Sequence, residues 1–128
     1  MTSVDRYSHR VRELFATAPR AGSLAPGRGE IRSGEAVALE RGAWVRFEAR
    51  VEARVVTEAR FRAWGCPHLL AACALAAERL EGSVPGAAPG VDAATLAADL
   101  DVPADKLGRL LVVEDAVTAL AADAAPAD

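Results

Sequence analysis

The chain has 128 residues, a length that suits one domain spanning residues 1–128. Apolar residues make up 52% of it, enough for a packed core, and the net charge of −3 gives no electrostatic reason to expect a nucleic-acid partner. No run reaches the roughly 18 apolar residues of a membrane span, and residues 1–12 lack the apolar segment of a secretory signal. We therefore expect a cytoplasmic protein with no membrane partner and with free thiols.

The first quarter of the chain predicts one helix and one loop. Residues 5–18 predict a short amphipathic helix that ends before Pro19. Its apolar positions at helical spacing are Val11, Leu14, Phe15 and Ala18. Several glycines and prolines then make residues 20–30 a loop.

Three strand-like segments follow the loop. Residues 31–39 form the weakest of them because Gly34 interrupts the run, whereas residues 43–52 and 55–64 alternate apolar and charged side chains. The short link between the last two favours an antiparallel hairpin with one buried face and one wet face of Arg and Glu. The aromatic side chains on its buried face are Phe47 and Phe61.

Helices dominate the rest of the chain. Cys66 is the predicted N-cap of a helix that Gly82 stops, because Pro67 suits the first helical position. Asp92 caps a short helix that ends near Leu100, and a last helix runs from about Pro103 to Ala122. Strands followed by helices predict an α+β fold, a three-stranded antiparallel sheet with helices packed on one face.

Cys66 is the residue best placed for chemistry. It lies where a strand ends and a helix begins, so backbone N–H groups and the helix dipole favour a thiolate there. The alternative is a small buried cap without chemistry. Cys73 lies seven residues further along the same helix, about 10 Å away, which is too far for a disulfide. We expect Cys73 to be a small core residue.

Other chemical motifs are weak. Cys66 and His68 alone do not complete a zinc site, which usually needs four ligands, and His68 is more simply a surface side chain near a helix start. We find no phosphate-binding loop, nucleophile elbow or HExxH pair. We therefore expect no metal site in the isolated chain and no enzyme activity.

Three segments together resemble one protein family. Residues 59–82 (ARFRAWGCPHLLAACALAAERLEG) resemble the strand-to-helix motif around the second cysteine of the IscU/NifU N-terminal family, which assembles iron–sulfur clusters. Residues 7–24 (YSHRVRELFATAPRAGSL) are similar to that family's opening helix. Residues 106–123 (KLGRLLVVEDAVTALAAD) resemble its last helix. The three segments stand in the family's order and span nearly the whole chain.

The resemblance implies a degenerate ligand site. Family members bind a cluster or zinc through three cysteines and an Asp or His, and the second cysteine corresponds to Cys66. The first corresponds to Arg41, with Ala43 in place of the family's Asp. The third corresponds to Arg109, with Gly108 in place of the preceding His.

The resemblance also implies a function. It predicts an accessory or degenerate scaffold-type protein of iron–sulfur cluster assembly or sulfur transfer, with Cys66 as the remaining site thiol. The residues expected to flank that thiol are Arg41, Ala43, His68, Gly108 and Arg109. The implied partner is a cysteine desulfurase or another cluster-assembly protein, and the implied cofactor is a cluster shared with that partner. The alternative is a non-catalytic interaction module that keeps the fold without binding a cluster.

Overall fold

The computed structural model describes residues 7–123, and over that range it shows three β-strands and four α-helices. In chain order they are α1 (His9–Thr17), β1 (Glu30–Ala38), β2 (Ala43–Glu52), β3 (Val55–Trp64), α2 (Pro67–Leu80), α3 (Ala93–Leu100) and α4 (Leu107–Ala122). Single 3-10 turns at Leu39–Arg41 and Ala104–Lys106 precede β2 and α4. Residues 5 and 6 of the predicted first helix lie outside the described residues.

The three strands form one antiparallel sheet in the order β1–β2–β3. Ala53 and Arg54 make the turn between β2 and β3, and both have positive φ (51° and 69°), as a type I′ hairpin turn requires. Phe47 pairs with Phe61 in this register, and both side chains are buried. Helices α2 and α4 pack on the sheet, so the predicted α+β arrangement is confirmed.

Gly34, which weakens the strand pattern in the sequence, lies where β1 makes a close contact with α4. β1 runs through this residue without a break, and a Cβ built on Gly34 would lie only 2.6 Å from the Cα of Leu120 and closer still to the carbonyl oxygen of Ala116. Glycine is therefore needed here because the backbone of α4 lies directly against the backbone of β1.

The first helix is shorter than its prediction and buries fewer of the expected apolar side chains. Ser8 caps α1 by accepting a hydrogen bond from the backbone N–H of Val11, and its hydroxyl donates to the carbonyl of Leu100 at 2.7 Å. Val11 and Leu14 are buried as expected, but Phe15 is 45% exposed and Ala18 lies beyond the helix as its left-handed C-cap. The buried stripe of α1 is narrower than the pattern indicated because the helix has only nine residues and packs mainly on α2.

The alternation predicted that the outer face of the sheet is exposed to solvent throughout. The structure shows that part of this face is buried. Arg50 on this face is only 7% exposed because the loop at residues 20–30 covers it. Its Nε donates to Glu58 at 2.8 Å, Nη1 donates to the carbonyl of Arg28 at 2.9 Å, and Nη2 donates to the carbonyl of Ala25. Burial is tolerated because the guanidinium has both an ion pair and carbonyl acceptors.

Within the part of the chain that the structure describes, no helix combines the length and the apolar character that crossing a bilayer requires.

Candidate functional site

Cys66 lies at the junction that the sequence indicated. β3 ends at Trp64, and Cys66 is the N-cap of α2 with an extended backbone (φ −78°, ψ 165°). Its thiol is half-buried and free, and no side chain caps the start of α2 by a hydrogen bond. The first backbone N–H groups of α2 therefore point toward the surroundings of Cys66.

Cys66 opens into a concave site, which we call the Cys66 pocket. The pocket has a volume of about 400 Å³ and is built from the segment before α1, the start of α2 and the start of α4. Its lining residues are Tyr7, Cys66, His68, Pro103, Asp105, Lys106 and Arg109. The fold thus brings one thiol, one imidazole and two cations into a single cavity.

His68 is buried, so the prediction of a surface histidine was wrong. Its side chain is 3% exposed because the ring of Tyr7 covers it, with the ring centroids 4.7 Å apart. Neither Nδ1 nor Nε2 has a hydrogen-bond partner among the described residues. Burial lowers the pKa of His68 below its ordinary value of 6.5, and the positive charges of Lys106 and Arg109 lower it further, while Asp105 acts in the opposite direction.

The lowered pKa of His68 predicts a loss of stability in mild acid. The unfolded chain takes up the proton first as pH falls, so the free energy of unfolding should be largest above pH 6.5 and decrease as pH falls through 6.5 toward the folded-state pKa. Denaturant titrations at several pH values measure this. His68→Phe should remove the decrease, because phenylalanine keeps a ring against Tyr7 without an ionisable group.

His9 provides the matched control, because it is the other histidine and is exposed on α1. His9→Gln should keep the wild-type profile. Glu81 and Asp92 have pKa values lowered from 4.5 and 3.8, so the stability they contribute is lost in more acidic solution, outside this window. An unchanged acid profile in His68→Phe would contradict the assignment.

The other positions expected at the site divide into two groups. The guanidinium of Arg41 lies against Gly108, where a Cβ would collide with Nη1, so Arg41 and Gly108 meet next to Arg109. Ala43 is fully buried at the start of β2, opposite Ala38, and is part of the core. Its side chain points to the inner face of the sheet, and Ala43 is not among the residues that line the Cys66 pocket. That Ala43 flanks the thiol stays a prediction.

Three pocket residues were not singled out from the sequence. Tyr7 and Lys106 line the pocket, yet each stood only at the start of a longer segment that resembles the family, and Asp105 directly precedes the last of these segments. One sequence feature could have indicated the positive charge of the pocket. Lys106 and Arg109 lie three residues apart, so they share one face at the start of α4. Their approach to Tyr7 depends on tertiary packing.

Cys73 is confirmed as a core residue. It is fully buried in α2, and burial raises the pKa of its thiol well above the ordinary value. Both cysteines are free. Cys66 is thus the thiol that solvent or a partner reaches without opening of the fold.

An apolar patch lies near the pocket, on the outer face of the sheet. Val37, Trp44 and Trp64 occupy one cross-strand row, and Leu39 follows the end of β1. The exposed fractions of Leu39, Val37 and Trp64 are 76%, 56% and 48%. Trp64 is two residues before Cys66, so the patch and the thiol lie at the same end of the sheet.

The donor atoms of the described residues do not make a complete metal site. Across residues 7–123, no three His, Cys, Asp or Glu side chains are grouped so that they could hold a metal ion. A [2Fe–2S] cluster is usually held by four Cys ligands, or by Cys with His. Arg41, Ala43, Gly108 and Arg109 supply no thiolate, imidazole or carboxylate. The residues present therefore do not fit a cluster held by one chain alone.

Sequence comparison finds related proteins over nearly the whole chain. The model of the NifU-like N-terminal domain matches residues 6–124. The iron–sulfur cluster assembly scaffold protein IscU of Rickettsia prowazekii is 27% identical over 118 residues, which are 91% of this chain and 90% of that protein. The scaffold protein IscU of Escherichia coli K12 is 25% identical, over 91% of this chain and 92% of that protein.

Solved structures share the fold at lower sequence identity. An iron–sulfur cluster assembly scaffold protein for the SUF system from Fervidobacterium islandicum superimposes with a TM-score of 0.68 at 14% identity, over 91% of this chain and 99% of that one. The N-terminal part of a NifU-like protein from Brucella abortus gives a TM-score of 0.69 at 17% identity, over 93% and 94% of the two chains. These structures support the fold, and the match over residues 6–124 confirms the resemblance inferred from the sequence: this chain belongs to the NifU-like N-terminal domain family.

Proposed function

We propose that this chain is an accessory, scaffold-type protein of iron–sulfur cluster assembly, in which Cys66 accepts sulfur from a cysteine desulfurase. The observation that carries the proposal is the accessible Cys66 thiol, at the family's second cysteine position and beside Lys106 and Arg109. Relatives named as cluster assembly scaffolds support it. We assign this role to one cytoplasmic domain, residues 1–128, that carries sulfur and is not an enzyme in its own right.

The Cys66 pocket suits a sulfur anion better than a metal ion. Lys106 and Arg109 stabilise negative charge on a thiolate or on a persulfide at Cys66, and the start of α2 acts in the same direction. Arg109 stays charged at any accessible pH. Since Arg109 and Arg41 stand where the family has cysteine ligands, a cluster assembled with this chain takes its remaining ligands from a partner protein.

The transfer step balances without an external oxidant or reductant. The Cys66 thiolate attacks the terminal sulfur of a persulfide on the desulfurase, a new S–S bond forms at Cys66, and the desulfurase S–S bond breaks. The desulfurase cysteine leaves as a thiolate, and the proton of the terminal sulfur stays on that sulfur in the new persulfide at Cys66 or passes to solvent. The reaction is a thiol exchange, so its rate depends on the thiolate fraction of Cys66.

The test is intact-protein mass spectrometry after incubation with a cysteine desulfurase and free cysteine under anaerobic conditions. Wild type should gain the mass of one sulfur atom per chain, and a thiol reductant should remove it. Cys73→Ala should gain the same mass because Cys73 is buried in the core. Cys66→Ser should gain none. Labelling of Cys66→Ser to the wild-type extent would overturn the proposal.

The second candidate is a non-catalytic interaction module, and the apolar patch of Val37, Leu39 and Trp64 is the observation that favours it. Exposed apolar patches next to polar surface are typical of protein-binding faces. The same experiment separates the two functions. Stable binding of the desulfurase without any mass gain on Cys66 would support the module, whereas binding with a mass gain supports the sulfur acceptor.

A further inference from the structure

The charges around the Cys66 pocket are not balanced. Lys106 and Arg109 line it. The guanidinium of Arg41 lies against Gly108, which directly precedes Arg109 in the chain. Over the described range, none of these three cations forms an ion pair with a carboxylate. Asp105 is the one carboxylate in the lining. Two cations against one carboxylate therefore leave the described lining of the pocket with an excess of positive charge.

The start of α2 adds unpaired hydrogen-bond donors to this charge. α2 has 14 residues, and no side chain caps its first turn, because the thiol of Cys66 makes no hydrogen bond to it. Backbone N–H groups at a helix start bind anions readily, since the helix dipole places partial positive charge there. Every helix has such a start, so specific anion binding here also requires other polar groups that face the pocket.

His68 supplies an independent observation, a buried polar side chain without a partner that faces the pocket. Its side chain lines the pocket, is 97% buried and has no hydrogen-bond partner at either ring nitrogen among residues 7–123. A buried polar group without a partner costs free energy, and native proteins rarely keep one without a reason. A neutral imidazole carries one N–H donor, which an anion in the pocket can accept once the ring of Tyr7 turns aside.

We propose that the Cys66 pocket binds a small oxyanion, through a phosphate or carboxylate group held between Lys106, Arg109 and the first turn of α2. Its volume of about 400 Å³ accepts such a group together with several attached atoms. Lys106 and Arg109 bind the oxyanion by charge-assisted hydrogen bonds. The inference goes beyond the proposed sulfur transfer and does not depend on it, because it needs the cations of the pocket and not the thiol.

A bound oxyanion also affects Cys66. Negative charge within a few ångströms of a thiol disfavours its thiolate, and an occupied pocket blocks the approach of a reagent. Bound oxyanion and reactive thiolate therefore exclude one another. The occupant of the pocket sets how much of the protein is ready to accept sulfur.

Isothermal titration calorimetry at neutral pH and constant ionic strength tests the proposal, with inorganic phosphate and citrate as the two probes. Wild type should bind at least one probe with one site per chain, and the tighter probe identifies the preferred group. Arg109→Ala and Lys106→Ala should each weaken that binding about tenfold. Cys66→Ser should keep it, which separates this result from any failure of sulfur transfer.

Arg28→Ala is the matched control. Arg28 is exposed in the loop before β1 and its side chain forms no ion pair in the described structure, so the variant changes net charge equally without touching the pocket. It should bind the probe as wild type does, and the probe should slow alkylation of Cys66 in both proteins. Absence of saturable binding of either probe at millimolar concentration, or equal affinity of Arg109→Ala and Arg28→Ala, would overturn the proposal.

Discussion

Gly34→Ala is expected to destabilise the fold by about 3 kcal/mol or more, a large part of the total stability of a small domain. The added methyl group would meet backbone atoms of Ala116 and Leu120, and backbone cannot rotate away as a flexible side chain can. β1 and α4 must therefore separate, which exposes apolar side chains between them. Urea or thermal unfolding measures the loss as a lower midpoint.

Gly108→Ala is the matched substitution with the opposite expectation. There the new methyl group meets the guanidinium of Arg41, the far end of a flexible side chain that can shift into solvent. Gly108 lies in the first turn of α4, where alanine is favoured over glycine by up to about 1 kcal/mol. We expect unchanged or slightly increased stability. Equal destabilisation by the two substitutions would contradict the close contact between β1 and α4.

Cys66 is expected to react with a thiol reagent at neutral pH on the order of a thousandfold faster than Cys73, or more. Cys66 opens into a pocket with two cations, whereas Cys73 is fully buried, and burial raises the pKa of its thiol. Cys73 reacts only when the fold opens, so its rate is reduced by the equilibrium constant for opening. Alkylation of the single-thiol variants Cys73→Ala and Cys66→Ser, followed by mass spectrometry, gives the two rates.

Arg109→Ala tests the electrostatic part of this difference. Loss of the cation should slow alkylation of Cys66 several-fold, because Arg109 lines the pocket into which the thiol opens and attracts the negative charge of the attacking sulfur. Arg28→Ala, which removes a distant charge, should leave the rate unchanged. If Cys66 reacted no faster than Cys73, the pocket would be closed to reagents and Cys66 would be a structural cap.

Period-two alternation was sufficient to predict the hairpin of β2 and β3 and its buried face. Phe47 and Phe61 were placed on the buried face because side chains on a strand alternate, and the short link allowed one antiparallel register. Cys66 as the N-cap of α2 followed in the same way from Pro67 at the first helical position. Residues that are close in sequence determine these features, so the local sequence pattern is enough to predict them.

Burial of polar side chains was not predictable from the same patterns. Arg50 follows the alternation of a wet face, but the loop at residues 20–30 folds over it. His68 occupies an ordinary first-turn position, and the ring of Tyr7, 61 positions earlier in the chain, covers it. In both cases a segment distant in sequence buries the side chain. The spacing of residues around Arg50 or His68 cannot predict this contact.

The candidate site was predicted only in part, and the prediction came from the family resemblance and not from a local sequence pattern. Arg41, Gly108 and Arg109 were expected near Cys66 from the family resemblance, and the structure places Arg109 in the pocket with Cys66 and Arg41 against Gly108. Ala43 was expected there too; it is buried at the start of β2 and does not line the pocket, and its place beside the thiol stays a prediction. The sequence did not reveal that Lys106 and Tyr7 complete the pocket, because three separate chain segments meet there.

Iron, sulfide and persulfide analysis of protein purified without oxygen tests most directly whether the site is a single sulfur-accepting thiol. After incubation with a cysteine desulfurase, cysteine and ferrous iron, followed by desalting, we expect one reducible sulfur on Cys66 and no stoichiometric iron in the isolated chain. The reason is that Cys66 is one thiolate where a cluster needs about four ligands. A stable [2Fe–2S] cluster in each monomer, with iron and acid-labile sulfide in equal amounts, would contradict this conclusion.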